Sequence, residues 1–311
     1  VRLVARSAAV TAVARWWFAP APAERLAALR VAIAGFAAVW TAARLPEIVS
    51  LAGLHASQFA PVGVVRAVGA PLPVAVVVAI AVATVALLVA MAAGARYRLT
   101  APLAAAGLLW TLSYRNSWGM VFHTENLLVL HVIALACTPA ADAWSWPGAA
   151  PRRDREAGYG WAVKLLAALT CATYLLAGIA KLRLAGLAWL DGDQLRNQIA
   201  VDNVRKALLG SATAPLARLV VVHAEGLIAL SVLTLVIELG APLALIGGRI
   251  ARAWGWGAWA FHAGVVLTMN VWFPYPLLGI AFLPLVEPDR LVARAQRWRA
   301  RRRVAADQVG I

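Results

Sequence analysis

The chain is 311 residues long, 62% apolar and only 14% charged, with a mean hydropathy of +0.76. Soluble domains are about half apolar and roughly a quarter charged, so this composition excludes a disordered chain and argues against a water-soluble enzyme. The formal net charge of +15 would suit nucleic acid in a soluble domain. Here the arginines flank apolar runs, as the positive-inside rule requires, and no nucleic-acid partner is expected.

Residues 1–23 form a basic N-terminal segment without a convincing signal-peptide cleavage site. The run that follows is read as a first transmembrane helix rather than a removed leader. Eight spans are expected, at about 24–44, 72–94, 99–114, 121–139, 161–181, 221–247, 253–272 and 275–288. Each is an apolar run of the kind that crosses a hydrocarbon core of about 30 Å. The third and eighth are short. Prolines 46, 61, 71, 73, 139, 147, 151, 274 and 276 punctuate the chain between them. The expected class is an all-α, polytopic membrane helix bundle occupying residues 24–290.

The Arg-bearing segments are the N-terminus, the 95–98 turn, the 140–160 loop, the 248–252 turn and an Arg-rich tail at 291–311. Eight alternating spans put all of them on one side. Both termini are then cytoplasmic in a bacterial inner membrane, with the tail against anionic lipid headgroups. The long segment 182–220 falls on the opposite side. Leu195, Ile199 and Leu208 alternate there with polar residues, so a helix lying on the outer interface is expected, capped by Asp191 or Asp193.

Ionisable groups inside such spans are expensive, about 2.5–3.5 kcal/mol on insertion scales, and are functional candidates by default. The fourth span carries His123, Glu125, Asn126 and His131. His123 and Asn126 are three apart, a helical-face spacing, and His131 lies about 12 Å deeper than His123. A neutral histidine hydrogen-bonded between helices is the plain alternative. The fifth span ends in YLLAGIAKL. Tyr174, Gly178 and Lys181 share one face there, with Gly178 open to a neighbour or a ligand. The chain has 26 Arg and three Lys, so a lysine in a membrane pattern stands out. A desolvated amine is available as a neutral base, and a snorkelling interfacial lysine is the alternative. Glu238, near the middle of the sixth span, is expected to be protonated or paired. His262 and Asn270 are expected to face inward from the seventh. Cys137 and Cys171 read as small buried hydrophobes. No HExxH, CxxC, phosphate loop, dinucleotide fingerprint or GxSxG is present, and no metal is expected.

YLLAGIAKL followed by AWLDGDQL resembles the AG-x-x-KL…W-x-x-G segment of vitamin K-dependent gamma-carboxylases. Those enzymes belong to the wider set of horizontally transferred transmembrane (HTTM) domain proteins. The DAWS, IELGAPL and FHAG…WFPYP stretches fit the same layout over about 24–290. The resemblance implies that Lys181 is the catalytic base, with His123 in the family's functional histidine region. It further implies a quinone or substrate pocket drawing on Glu125, Asn126, Tyr174, Gly178, Trp189, Glu238 and His262. The implied cofactor is a reduced, vitamin K-like quinone. The base deprotonates it, O2 attacks, a strong alkoxide removes a weakly acidic substrate proton, and CO2 can add. The large extramembrane domain of the animal carboxylases has no counterpart in these residues. Two other readings stand beside this one: a non-catalytic lipid- or quinone-binding partner, and a small-molecule transporter, for which the chain lacks internal symmetry.

Overall fold

A computed structural model describes residues 12–119, 121–148, 157–290, 292–294 and 297. Among them every regular element is helical. The expectations for most of the Arg-rich tail, the first eleven residues and the 149–156 part of the basic loop fall outside the described residues. Among the described residues three helices are long and apolar enough to cross a membrane: Ala23–Ala43, Val74–Ala93 and the continuous stretch Gly158–Asp191.

The chain divides into two units, Val1–Leu166 with Glu287–Ile311, and Ala167–Val286. The first unit contains α1 (Ala23–Ala43), α2 (Leu45–Ala52), α3 (Val74–Ala93), α4 (Tyr97–Arg115), α5 (Asn126–Ala136) and the start of α6 (Ala157–Ala185). Helix α3 begins after Pro73, whose fixed φ suits a helix entry, and stops at Gly94. Gly94 adopts φ +74° and returns its N–H to Ala90, a left-handed cap that only glycine takes without strain. The turn to α4 is therefore tight, and the two helices pack along their lengths. Gly107 faces Thr84, where a Cβ would collide with the threonine side chain. Ile48, Val65, Val77, Ala81, Tyr114 and Trp118 form a buried apolar cluster beside them.

Arg30 is the deepest charge in this unit. It sits two turns into α1 and is fully buried. Its guanidinium donates to the carbonyls of Ala92, Ala140, Ala143 and Trp144 and to Ser145 Oγ. The side chain thus ties the end of α3 and the 140–145 turn to the first helix.

The second unit contains the rest of α6, a 3₁₀ segment Gly186–Asp191, then α7 (Asp193–Leu208), α8 (Ala217–Val221), α9 (Ala224–Leu239), α10 (Gly248–Met269) and α11 (Pro274–Leu277). Asp191 accepts the backbone N–H of Asp193 and turns the chain into α7. One face of α7 buries Ile199 against Ala214, Ala217 and Leu227. Its polar residues grip the end of α10. Asn203 donates to the Thr268 carbonyl and accepts from the Ala214 N–H. Lys206 donates to the Met269 and Asn270 carbonyls while pairing with Asp202. These carbonyls belong to the last turn of a helix, where no intrahelical donor remains. Burial alone would raise the Asp202 carboxyl, but the Lys206 and Arg205 hydrogen bonds win and hold it below the usual carboxylate range. Lys206→Met should loosen α7, read as faster amide hydrogen exchange over 193–208 and as a stability loss of about 1.5–3 kcal/mol, the scale of a charged hydrogen bond.

Several expected spans are shorter as helices than as apolar runs. The fourth run starts at 121, but α5 begins only at Asn126. The sixth breaks at Gly240, where Pro242 leaves a 3₁₀ turn, Ala241–Ile246, in place of a continued α-helix. The eighth divides into α11 and the 3₁₀ segment Ile280–Leu285, with Gly279 at φ +74° between them. Hydropathy registers neither the Gly240 break nor Gly279, while His123, Thr124 and Glu125 mark the late start of α5.

Candidate functional site

The candidate residues fall into two groups, one in each unit. In the second unit α6 runs antiparallel to α9. Gly178 meets Leu239 and the Cβ of Glu238, so the absent side chain admits a neighbouring helix. One turn on, the Lys181 ammonium donates to Glu238 Oε1. The Trp189 ring stands over the same amine, its centroid 5.2 Å from Nζ. The Trp189 indole N–H donates to the Ser231 carbonyl and to Thr234 Oγ1. Gly192 lies against Leu227 and Ile228.

This register changes the position expected for Lys181. It is not at the end of its helix, because α6 continues to Ala185 and the 3₁₀ segment carries the chain on to Asp191. Its partner is near the far end of α9. Glu238 comes 14 residues after Ala224, roughly 21 Å along the helix at 1.5 Å per residue. The Glu238 side chain is almost wholly buried and Lys181 is about one-fifth exposed. Glu238 Oε2 has no partner among the described residues.

Two turns back along α6, the Tyr174 hydroxyl lies 2.6 Å from His262 Nε2. The two groups share one hydrogen bond, whose direction is set by the imidazole tautomer. Nδ1 is buried without a partner among the described residues. Trp254 meets Tyr174 edge-on with centroids 5.0 Å apart, and Phe273 lies 5.0 Å from the His262 ring. Trp254 donates to the Ile237 carbonyl and so holds α10 against α9. Asn270 is the left-handed cap of α10 and donates to the Ala212 carbonyl. It closes a helix end and does not line an interior.

In the first unit Glu125 is buried among cations and aromatic rings. Trp40 donates to its Oε1, Thr124 to its Oε2 at 2.5 Å, and Arg44 and Arg115 stand 3.5 Å away. Glu47 bridges the two arginines, at 2.5 Å from Arg44 and 2.7 Å from Arg115. Trp40 stacks under Arg44, and Phe122 under Arg115. His123 and Asn126 are both exposed. They do not share a helical face, since His123 precedes the first turn of α5. His131 is fully buried and hydrogen-bonds the Leu166 carbonyl at 3.0 Å, the interhelical arrangement weighed for it above. Cys171 is buried, but Cys137 is exposed at the end of α5, unlike the expectation for it.

The residues that sequence reasoning passed over are Arg30, Arg44, Glu47 and Arg115. A signal existed for Arg30, a lone arginine inside an apolar run. For Arg44 and Glu47 the i, i+3 spacing was available, but both looked like loop residues beyond a span.

Glu47 gives this cluster a pH dependence. Burial alone would raise its carboxyl, but hydrogen bonds and charge from Arg115 and Arg44 outweigh it and hold the group below its ordinary value. A depressed carboxylate contributes stability above its unfolded titration range, and that contribution is lost as pH falls through the folded value. Because Glu47 is more than a third exposed, solvent screens much of the effect. Wild type should therefore lose a modest, salt-sensitive stability increment on acidification that Glu47→Gln never had, as thermal unfolding of both at falling pH will show.

All-helical among the described residues, with three helices long and apolar enough to cross a membrane, the chain has the character of a membrane protein. Residues 18–250 match the family model described as the HTTM domain, more than half of the chain, and the protein belongs to that family. His262 and the WFPYP segment lie beyond the matched residues. No curated protein and no solved structure matches the chain. Among the described residues no three His, Cys, Asp or Glu side chains come together as a metal site.

Proposed function

We propose that this protein is an eight-span enzyme of the cell membrane, with both termini cytoplasmic, that uses Lys181 and Glu238 as a proton-accepting couple in a quinone-linked oxidation or carboxylation. The carrying observation is the Lys181 amine held against a buried carboxylate, beneath the Trp189 ring, in an apolar helix pair. An ion pair out of water bears a desolvation penalty of several kcal/mol per ion. Moving one proton from Nζ to Oε1 discharges both groups and leaves a neutral amine. That amine accepts a proton from a bound acid, and Glu238 holds it in line.

The donor set fits a reduced quinone. Glu238 Oε2 and His262 Nδ1 are buried polar atoms without partners among the described residues, and Trp189, Tyr174, Trp254 and the adjoining Phe282 offer apolar rings. When bound, a reduced quinone supplies the electrons that reduce O2, and CO2 is the further co-substrate of a carboxylation. His123, Glu125 and Asn126 belong to the same proposal as the second group of site residues. The Arg-rich tail is assigned to anionic lipid headgroups.

The test is O2 consumption by the purified protein with a naphthohydroquinone, alongside mass spectrometry of co-extracted lipids. Lys181→Ala should lower turnover about 10²–10⁴-fold, the usual worth of a general base, while the protein stays monodisperse. Unchanged turnover in a folded variant overturns the proposal. The second reading, a non-catalytic lipid- or quinone-binding partner, is favoured by Gly178. Helix α9 fills the space beside it, as in a structural tie. It predicts that quinones co-purify without turnover.

A further inference from the structure

Helix α9 reads AEGLIALSVLTLVIEL and, beyond Glu225 in its first turn, is apolar except along one face. Ser231, Thr234 and Glu238 stand there at i, i+3 and i+7, and all three are buried. Thr234 donates to the Ser231 carbonyl. The Trp189 indole N–H is shared between that carbonyl and Thr234 Oγ1. Two atoms of the stripe, Ser231 Oγ and Glu238 Oε2, lack partners among the described residues. A buried polar atom left unmatched suffers the full loss of its hydration, and proteins usually satisfy such atoms with bound water. A tie between Lys181 and Glu238 alone would not need a hydroxyl two turns away.

The segment that covers this face is bounded by two glycines in the left-handed region. Gly186 and Gly192 bound the 3₁₀ stretch carrying Trp189, with φ of +59° and +85°. These are left-handed positions, readily re-set only in glycine. A 3₁₀ run of six residues has poorer hydrogen-bond geometry than an α-helix and is longer than such runs usually are. Leu227, fully buried one turn before Ser231, closes the same end together with Gly192.

We propose that the Ser231–Thr234–Glu238 face holds water and forms a proton-exchange route to Lys181, with Trp189 as its gate. In the exchange one Nζ–H bond of the Lys181 ammonium breaks and one O–H bond forms on a bound water. That water passes a proton of its own along the stripe, past Thr234 and Ser231 toward the Trp189 end. The amine is left neutral and the positive charge departs with the water. The route goes beyond the catalytic reading, because water access is measured without any turnover.

The experiment uses full-length protein carrying Cys137→Ser and Cys171→Ala, with Ser231→Cys added, treated with a small cationic methanethiosulfonate. Only a thiol in contact with water ionises and reacts. Val236→Cys, on the exposed apolar face of α9, is the control. The thiol at 231 should react faster than the thiol at 236. Trp189→Ala should speed it about tenfold further, the population change expected from removing a net hydrogen bond, and leave position 236 unchanged. If Trp189→Ala is not recovered as monodisperse protein, Trp189→Phe keeps a ring, frees the same two acceptors and is read identically. A thiol at 231 no faster than at 236 overturns the route. A rate at 231 indifferent to position 189 overturns the gate.

Discussion

Glu238→Leu should cost the protein about 3–5 kcal/mol, and adding Lys181→Met should restore most of that loss. The reason lies in what each change leaves behind. With the carboxylate gone, the Lys181 ammonium, about four-fifths covered, keeps its place beneath Trp189 without its counter-charge, and a largely buried charge without a partner is strongly destabilising. With both gone, two apolar side chains of similar reach meet between α6 and α9, and neither carries a desolvation penalty. Unfolding midpoints of the two single variants and the double variant in one detergent form the cycle that measures this coupling. Near-additive losses would mean that the pair does not interact. Stability and turnover should then part company in the double variant, which folds well and is catalytically silent.

Arg30→Met should be as damaging, on the order of 5 kcal/mol, and here no second substitution can compensate. The acceptors of Arg30 are main-chain carbonyls of Ala92, Ala140, Ala143 and Trp144. They remain whatever side chains surround them. Each carbonyl left without a donor loses about 1–3 kcal/mol, discounted for local relaxation. Arg30→Lys should recover only part, since a lysine offers three donors from one point where the guanidinium offers a planar fork. The yield of monodisperse protein and its thermal midpoint will separate the three forms. A wild-type midpoint for Arg30→Met would show that water substitutes for the guanidinium.

Sequence periodicity and hydropathy located α1, α3 and α6 well, because each is an uninterrupted apolar run bounded by proline, glycine or charge. They overran α5, α9 and the last apolar run. The Gly240–Ala241–Pro242 break and Gly279 are as apolar as their surroundings, so hydropathy could not register them, whereas His123, Thr124 and Glu125 in the non-helical stretch 121–125 were a polar signal of the later start of α5. The face shared by Tyr174, Gly178 and Lys181 was readable from spacing alone. Which residues of α9 meet that face was not, since the register of two antiparallel helices is decided by side chains on both. The same holds for the Arg44–Glu47–Arg115–Glu125 cluster, drawn from three places in the chain, of which a local pattern links only Arg44 and Glu47. Lys206, one of three lysines and outside every expected span, carried no local sign that its work is to cap α10.

The partners of Arg30 carry one further consequence. Ala140 lies 110 residues after it in the chain, so a ribosome delivers the first helix to the translocon long before the turn that embraces its guanidinium exists. Until the 140–145 turn has been made and packed, α1 holds that cation without the acceptors it has in the folded protein.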